Sequence, residues 1–241
     1  MSMNGDKMKR VVIVSGPSCV GKTPLLKALK KNHPEIPFGQ FILYSSRQPR
    51  PGEKDGVDFH FRTESEIRSL PADRFIISPV RHLWQAIDLQ EVKSVFEHFN
   101  LIVVEIYPTL ARRFQEHPTV QKLAAEFETR TVFISPVTDE EIAAVQQGMG
   151  FSSPQQTLAA IMTPKLISRS LQQGKLMTPA ELEDIRIRAS RAYEEIEMGR
   201  LYTDFIVNHD GEDSQNWKYS PPLGEAGQTL KRLVGIITHN N

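Results

Sequence analysis

Thiol chemistry is nearly missing from this chain, which has one cysteine, Cys19, among 241 residues. An intramolecular disulfide is therefore excluded, as are metal clusters that need several Cys or His at short spacing. Net charge is missing as well. Lysine plus arginine and aspartate plus glutamate each number 29, so no global field draws the chain to nucleic acid or a membrane surface. Any anionic ligand must be held by local groups. No apolar run approaches the roughly 20 residues of a membrane span, and the opening MSMNGDKMKR lacks the apolar stretch of a secretory signal. These absences lead to the expectation of a cytoplasmic protein without nucleic-acid or membrane partners. They leave the oligomeric state open.

There is no internal repeat or low-complexity tract, but the 39% of hydrophobic residues is enough for a sizeable core. VVIVS (11–15), LIVVEIY (101–107), TVFIS (131–135) and DFIVN (204–208) are short β-branched runs without clear alternation, the pattern of central parallel strands covered on both faces. Helical patterns lie between them, and LQEVKSVFEHF puts Leu89, Val92, Val95, Phe96 and Phe99 on one face. Three helix starts carry capping boxes: Thr138 with Glu141, Ser153 with Gln156 and Thr178 with Glu181. Residues 146–176 read as a helical excursion without a strand. The polar stretch HDGEDSQNWKYSPPL leads to a last amphipathic helix near 224–238.

Between the first strand and the first helix stands GPSCVGKT, Gly16 to Thr23, which fits G-x-x-x-x-G-K-[ST]. Glycines let the backbone curl so that successive N–H groups face phosphate oxygens, beside a helix N-terminus that favours negative charge. Gly16, Ser18, Cys19, Val20, Gly21, Lys22 and Thr23 are thus candidate ATP-binding residues. Lys22, on an exposed loop, would reach the β- and γ-phosphates, and Thr23 would hold Mg²⁺. The competing reading is a glycine-rich turn. Pro24 removes an amide next to the phosphates. Cys19 is either an oxidisable thiol whose pKa the helix end lowers or simply a small residue that fits.

A second stretch, YSSRQPRPGEKDGVDFHF (44–61), carries Arg47 and Arg50 on a Pro-punctuated loop, then Glu53. Together the two motifs resemble the guanylate kinase family, with its T-T-R-x-P-R-x-G-E-x-x-G-x-x-Y element, and the similarity runs over about 9–237. The resemblance implies a single α/β P-loop domain over 1–241, with a three-layer core, a parallel sheet, a mobile helical lid at 146–177 and an acceptor-binding subdomain at 42–97. It implies transfer of the ATP γ-phosphoryl group to GMP. Arg47 and Arg50 match the arginines that hold the acceptor phosphate, and Arg188 matches a post-lid arginine on the transferring group. Asn208 matches a place near adenine. Glu53, Phe59, Trp84 and Glu105 match further acceptor-site positions, with Glu105 and Tyr107 standing for D-x-D.

Several positions depart from that pattern. Leu43, Phe75 and Ala86 stand where the family has polar base readers, Phe59 and Trp84 replace tyrosines, and Leu176 replaces a lid arginine that Lys165, Arg169 or Lys175 could substitute. The expectation is therefore an ATP- and Mg²⁺-dependent kinase of a small phosphorylated acceptor. GMP is the default acceptor, and its readers are largely lost. Two other readings stay open: a module for protein interaction that has lost catalysis, and a kinase of a phosphorylated sugar.

Overall fold

The computed structural model describes residues 9–50, 52–123 and 126–238. The chain opens with β1 (Lys9–Ser15), α1 (Lys22–Asn32), β2 (Tyr44–Ser45), β3 (His60–Phe61) and α2 (Glu64–Arg68). Next come β4 (Phe75–Val80), β5 (Leu83–Asp88), α3 (Leu89–His98), β6 (Leu101–Glu105), α4 (Pro108–Glu116) and α5 (Pro118–Lys122). The remainder comprises β7 (Phe127–Ser135), α6 (Asp139–Met149), α7 (Pro154–Gln172), α8 (Pro179–Gly199), β8 (Asp204–Val207) and α9 (Gly224–Thr238).

One sheet has the order β6-β1-β7-β8, which contains all four β-branched runs singled out in the sequence. Strands β7 and β8 pair in parallel, Val132 opposite Asp204 through Ser135 opposite Val207. The run LIVVEIY stops pairing at Glu105, and Tyr107 stays extended as the N-cap before Pro108, which opens α4 three residues after the strand ends. The other sheet, β3-β2-β5-β4, falls within residues 44–88. Its hairpin β4–β5 turns at Arg81, at φ 58°, and β4 tolerates Pro79 because it is an edge strand.

The chain divides into two compact units: Met1–Ile13 with Pro37–Arg130, and Val14–Ile36 with Thr131–Asn241. In the first, Ile67, Phe75 and Ala86 form a buried cluster against which Tyr44, Leu70, Ile77 and Trp84 pack. In the second, Phe133 stacks on Phe205 and meets Tyr202 edge-on, both at 5.5 Å between centroids.

The helix starts agree with the sequence in place and differ in chemistry. Only Thr138 and Glu141 close a reciprocal box. Ser153 and Thr178 each cap by accepting an amide, but Gln156 instead binds Ser152, and Glu181 is taken by Lys175 and Ser170. Outside those three starts, a second reciprocal box, Thr63 with Glu66, opens α2.

Packing near the end of α8 depends on a missing side chain. A β-carbon on Gly199 would lie 2.3 Å from the Phe133 ring, which is itself wedged between Phe205 and Tyr202. Gly199→Ala should therefore lower stability by about 1–3 kcal/mol despite alanine's better helix propensity. The urea midpoint measures it, and an unchanged or raised midpoint would contradict this packing.

Candidate active site

The loop expected to hold the phosphoryl donor, the donor loop, runs from Gly16 to Thr23 between β1 and α1. Gly16, at φ 150°, could not carry a β-carbon, because Ile134 O would stand 2.3 Å from it. Gly21, at φ 88°, is the N-cap of α1, and a β-carbon there would meet Asn208 Nδ2, Asp210 O and the Trp217 ring, each at 2.9 Å. These two glycines are required by close approach as well as by conformation. Lys22 is buried, contrary to the exposed placement expected from sequence. Its Nζ donates to Gly16 O and Pro17 O, 2.8 Å each, so the ammonium is folded back on the loop's own carbonyls. Thr23 is exposed, and Pro24 falls in the first helical turn, where a missing N–H is tolerated.

Behind the loop stands the segment after β8. Asn208, 1% exposed, donates through Nδ2 to Val20 O at 2.9 Å and Asp210 O at 2.7 Å. Trp217 Nε1 donates to Gly211 O at 2.9 Å, and Glu212 N donates to Cys19 O at 3.3 Å. Asp210 accepts from Ser214, Asn216 and the Ala226 amide, tying this segment to α9. From sequence, HDGEDSQNWK is expected to be a connecting loop. Its Asx-rich composition and its lone tryptophan in a polar run were the available signals that it braces the donor loop.

Cys19 is fully buried at φ 71°, and its thiol donates to Lys165 O of α7 at 3.3 Å. Burial pushes the Cys19 thiol up to about 11. The helix end does not activate it, and the low-pKa reading is corrected accordingly.

In the other unit, Arg47 makes a two-pronged ion pair with Glu53, at 2.6 and 2.7 Å, and donates to Gln48 O at 3.0 Å. Its guanidinium lies over the rings of Phe59 and Phe61, at 4.7 and 5.1 Å. Glu53 also accepts from the Arg50 amide at 2.7 Å. Burial raises the Glu53 carboxyl, but the Arg47 and Arg50 hydrogen bonds and the charges of both arginines outweigh it and hold it below its ordinary value. Trp84 packs on the buried cluster, its ring beneath Arg68 at 4.9 Å. Phe75 and Ala86 belong to that cluster, and Leu43 is buried, so the three residues that the resemblance sets against base readers build core here. Asp88 is held by Arg74 at 2.6 and 2.9 Å and caps α3. Glu105 stands half-buried at the end of β6.

A family model described as guanylate kinase matches residues 8–173. The chain belongs to the guanylate kinase family. Guanylate kinase of Mycolicibacterium paratuberculosis is 27% identical over 184 residues, spanning 74% of this chain and 73% of that protein. Guanylate kinase of Bifidobacterium longum is 32% identical over 163 residues, 65% of this chain and 79% of its own. The crystal structure of guanylate kinase from Anaplasma phagocytophilum superposes with a TM-score of 0.56 at 16% identity, covering 95% of this chain and 85% of that one. That likeness establishes a shared P-loop α/β fold.

Within this guanylate kinase-family chain, Arg188 of α8 is 12% exposed and donates to Asp184 at 2.7 Å, whereas Arg186 and Arg191 form exposed pairs with Glu183 and Glu194. The three cations considered as replacements for the lid arginine are each engaged. Lys165 donates to His209 O, Arg169 pairs with Glu212 at 3.1 Å, and Lys175 pairs with Glu181 at 2.8 Å. Through Cys19, His209 and Glu212, helix α7 is seated on the donor loop and its brace.

His209 joins three elements of this brace. Its Nε2 lies 2.9 Å from Glu141 of α6 and its Nδ1 2.7 Å from Glu225 of α9. The hydrogen bond with Glu141 and then that with Glu225 raise its pKa above the ordinary value of 6.5, against partial burial. A raised pKa means that the stabilisation is complete below the unfolded value and is lost as pH rises through the folded one. His209→Gln should therefore destabilise the protein more at about pH 6 than at about pH 9. Urea midpoints at both values measure this, and an equal loss at both would contradict it.

Proposed function

We propose that this chain transfers the γ-phosphoryl group of ATP to a monophosphate acceptor, and that the acceptor's phosphate rather than its base supplies most of the recognition. One observation carries the donor half: glycines at positive φ and a buried lysine form a strand–loop–helix cradle at the start of α1. Successive amides and the helix end favour the polyphosphate. Lys22 exchanges its two carbonyl partners for phosphate oxygens, and phosphoryl transfer then relies on positioning and charge neutralisation.

Mg²⁺ is commonly bound through one or two protein oxygens and the substrate's phosphates. The Thr23 hydroxyl, exposed at the loop's end, suits such an ion. When bound, the ion would neutralise charge on the β- and γ-phosphates. Among the described residues no three His, Cys, Asp or Glu side chains gather as a ligand set.

Arg47 and Arg50 are assigned to the acceptor phosphate. Glu53 orients Arg47 while leaving two of its five N–H donors for a ligand, given the three hydrogen bonds it makes. Arg188 is assigned to the transferring group. The loss of polar readers supports weak guanine selectivity, since the counterparts at Phe75 and Ala86 pack in a core and offer no hydrogen bonds.

Pro24, Leu176 in place of a lid arginine and the apolar residues at the base-reading positions favour a second reading, an interaction module without catalysis. Thermal unfolding separates the two: ATP with Mg²⁺ at about 100 times its dissociation constant should add about 2.7 kcal/mol, and a module gains nothing. The direct test is ADP release with a panel of nucleoside and sugar monophosphates. Turnover should require Lys22, and Lys22→Met, which keeps the buried stem, should abolish it. A variant as active as wild type overturns the donor assignment.

Pro24→Ser restores an amide beside the phosphates and should tighten ATP by about 1 kcal/mol. Calorimetric titration measures it, and an unchanged or weaker affinity refutes the account of Pro24. For the acceptor, GMP should be a poor substrate and guanosine should barely bind. Arg47→Ala should weaken every monophosphate by a similar factor, because a phosphate contact cannot distinguish bases. Efficient turnover confined to GMP would overturn this reading.

A further inference from the structure

The unit that holds Arg47 also contains a cavity of about 220 Å³, apart from every residue assigned above. Its walls include Val92 and Phe96 of α3, Phe114 of α4, Val120 of α5 and Phe127 at the start of β7, each at most 7% exposed. Interiors are close-packed, and voids much larger than a water are few. This cavity opens to solvent beside the exposed Lys93 and Glu126, so its apolar wall faces water and is stabilised when something covers it. For scale, a cavity of roughly 150 Å³ lined by Leu, Ile and Phe takes up benzene. This one has room for a larger ring or a short alkyl chain.

Charge at the cavity is unbalanced. Lys9, half-buried, and Lys93, exposed, both line it, against a single acid, Glu126. Lys9 Nζ is held 5.5 Å from the Phe96 ring centroid, so a cation stands beside the apolar wall. Neither lysine is paired with a carboxylate among the described residues. A ligand with an apolar body and one negative group would fill the void and meet both ammonium groups.

We propose that this cavity is a binding site for a small amphipathic carboxylate, its alkyl or aryl body among Val92, Phe96, Phe114 and Phe127 and its carboxylate on Lys9 and Lys93. The site is independent of the kinase reading and shares none of its residues.

Octanoate, titrated into the full chain by calorimetry, tests this, with octylammonium and acetate as comparators. Octanoate should saturate at one per chain, octylammonium should bind at least about tenfold more weakly through its reversed charge, and acetate should give no saturable heat. Val92→Phe fills the void and should weaken octanoate by about tenfold or more, the worth of a few buried methylenes. The double variant Lys9→Gln, Lys93→Gln leaves the walls intact and should weaken octanoate several-fold while leaving octylammonium unweakened. This pair keeps the test decisive if Val92→Phe does not fold. Absence of saturable octanoate binding, equal binding of octylammonium, or undiminished binding in the lysine double variant would each overturn the proposal.

Discussion

The end of β7 presses so closely on the start of the donor loop that Ile134 O occupies the space a side chain at residue 16 would need. The shape of the loop follows from that approach. From the other side, Asn208, Asp210 and Trp217 crowd Gly21 in the same way, and Asn208 holds the Val20 carbonyl. Clasped at both ends, the backbone takes up its curl before any ligand arrives, which is the condition for amides to stabilise charge without reorganising. Lys22 completes the arrangement by resting on Gly16 and Pro17. Its charge is held on the loop's own carbonyls.

Arg47 and Arg50, proposed for the acceptor phosphate, show the same economy by different means. A guanidinium on a surface loop carries about 2 kcal/mol of rotamer entropy. Glu53 and the Phe59 and Phe61 rings remove much of that freedom from Arg47 in advance. The carboxylate that orients Arg47 also fixes the Arg50 backbone, so both arginines answer to one side chain. Arg47 lies on the Phe59 and Phe61 rings, whereas Trp84 lies beneath Arg68 and packs on the buried cluster.

Much of this was legible in the sequence where period and chemistry point the same way. The four β-branched runs became one sheet, α9 begins and ends at the expected residues, and GPSCVGKT announced its strand–loop–helix setting. The hairpin from Phe75 to Asp88 was harder to see, because Pro79 interrupts it and its pairing depends on lying at a sheet edge. Side-chain partners were harder still. Thr178 and Glu181 have capping-box spacing, yet Lys175 offers Glu181 a full charge that a backbone amide cannot match. Nothing local distinguishes Asp88 as a cap and ion-pair partner from Asp88 as a ligand contact, since Arg74 lies fourteen residues away. The brace at 208–217 stayed hidden for the same reason, its partners being distant in sequence.

One consequence belongs to Cys19. It is the chain's single cysteine, it sits inside the donor loop, and its sulfur is sealed beneath the Lys165 carbonyl of α7. Because the sulfur is fully buried, a maleimide can reach it only when α7 or the segment around Gly211 opens. The molecule thereby carries an intrinsic probe of these openings, with no engineered label and no competing thiol.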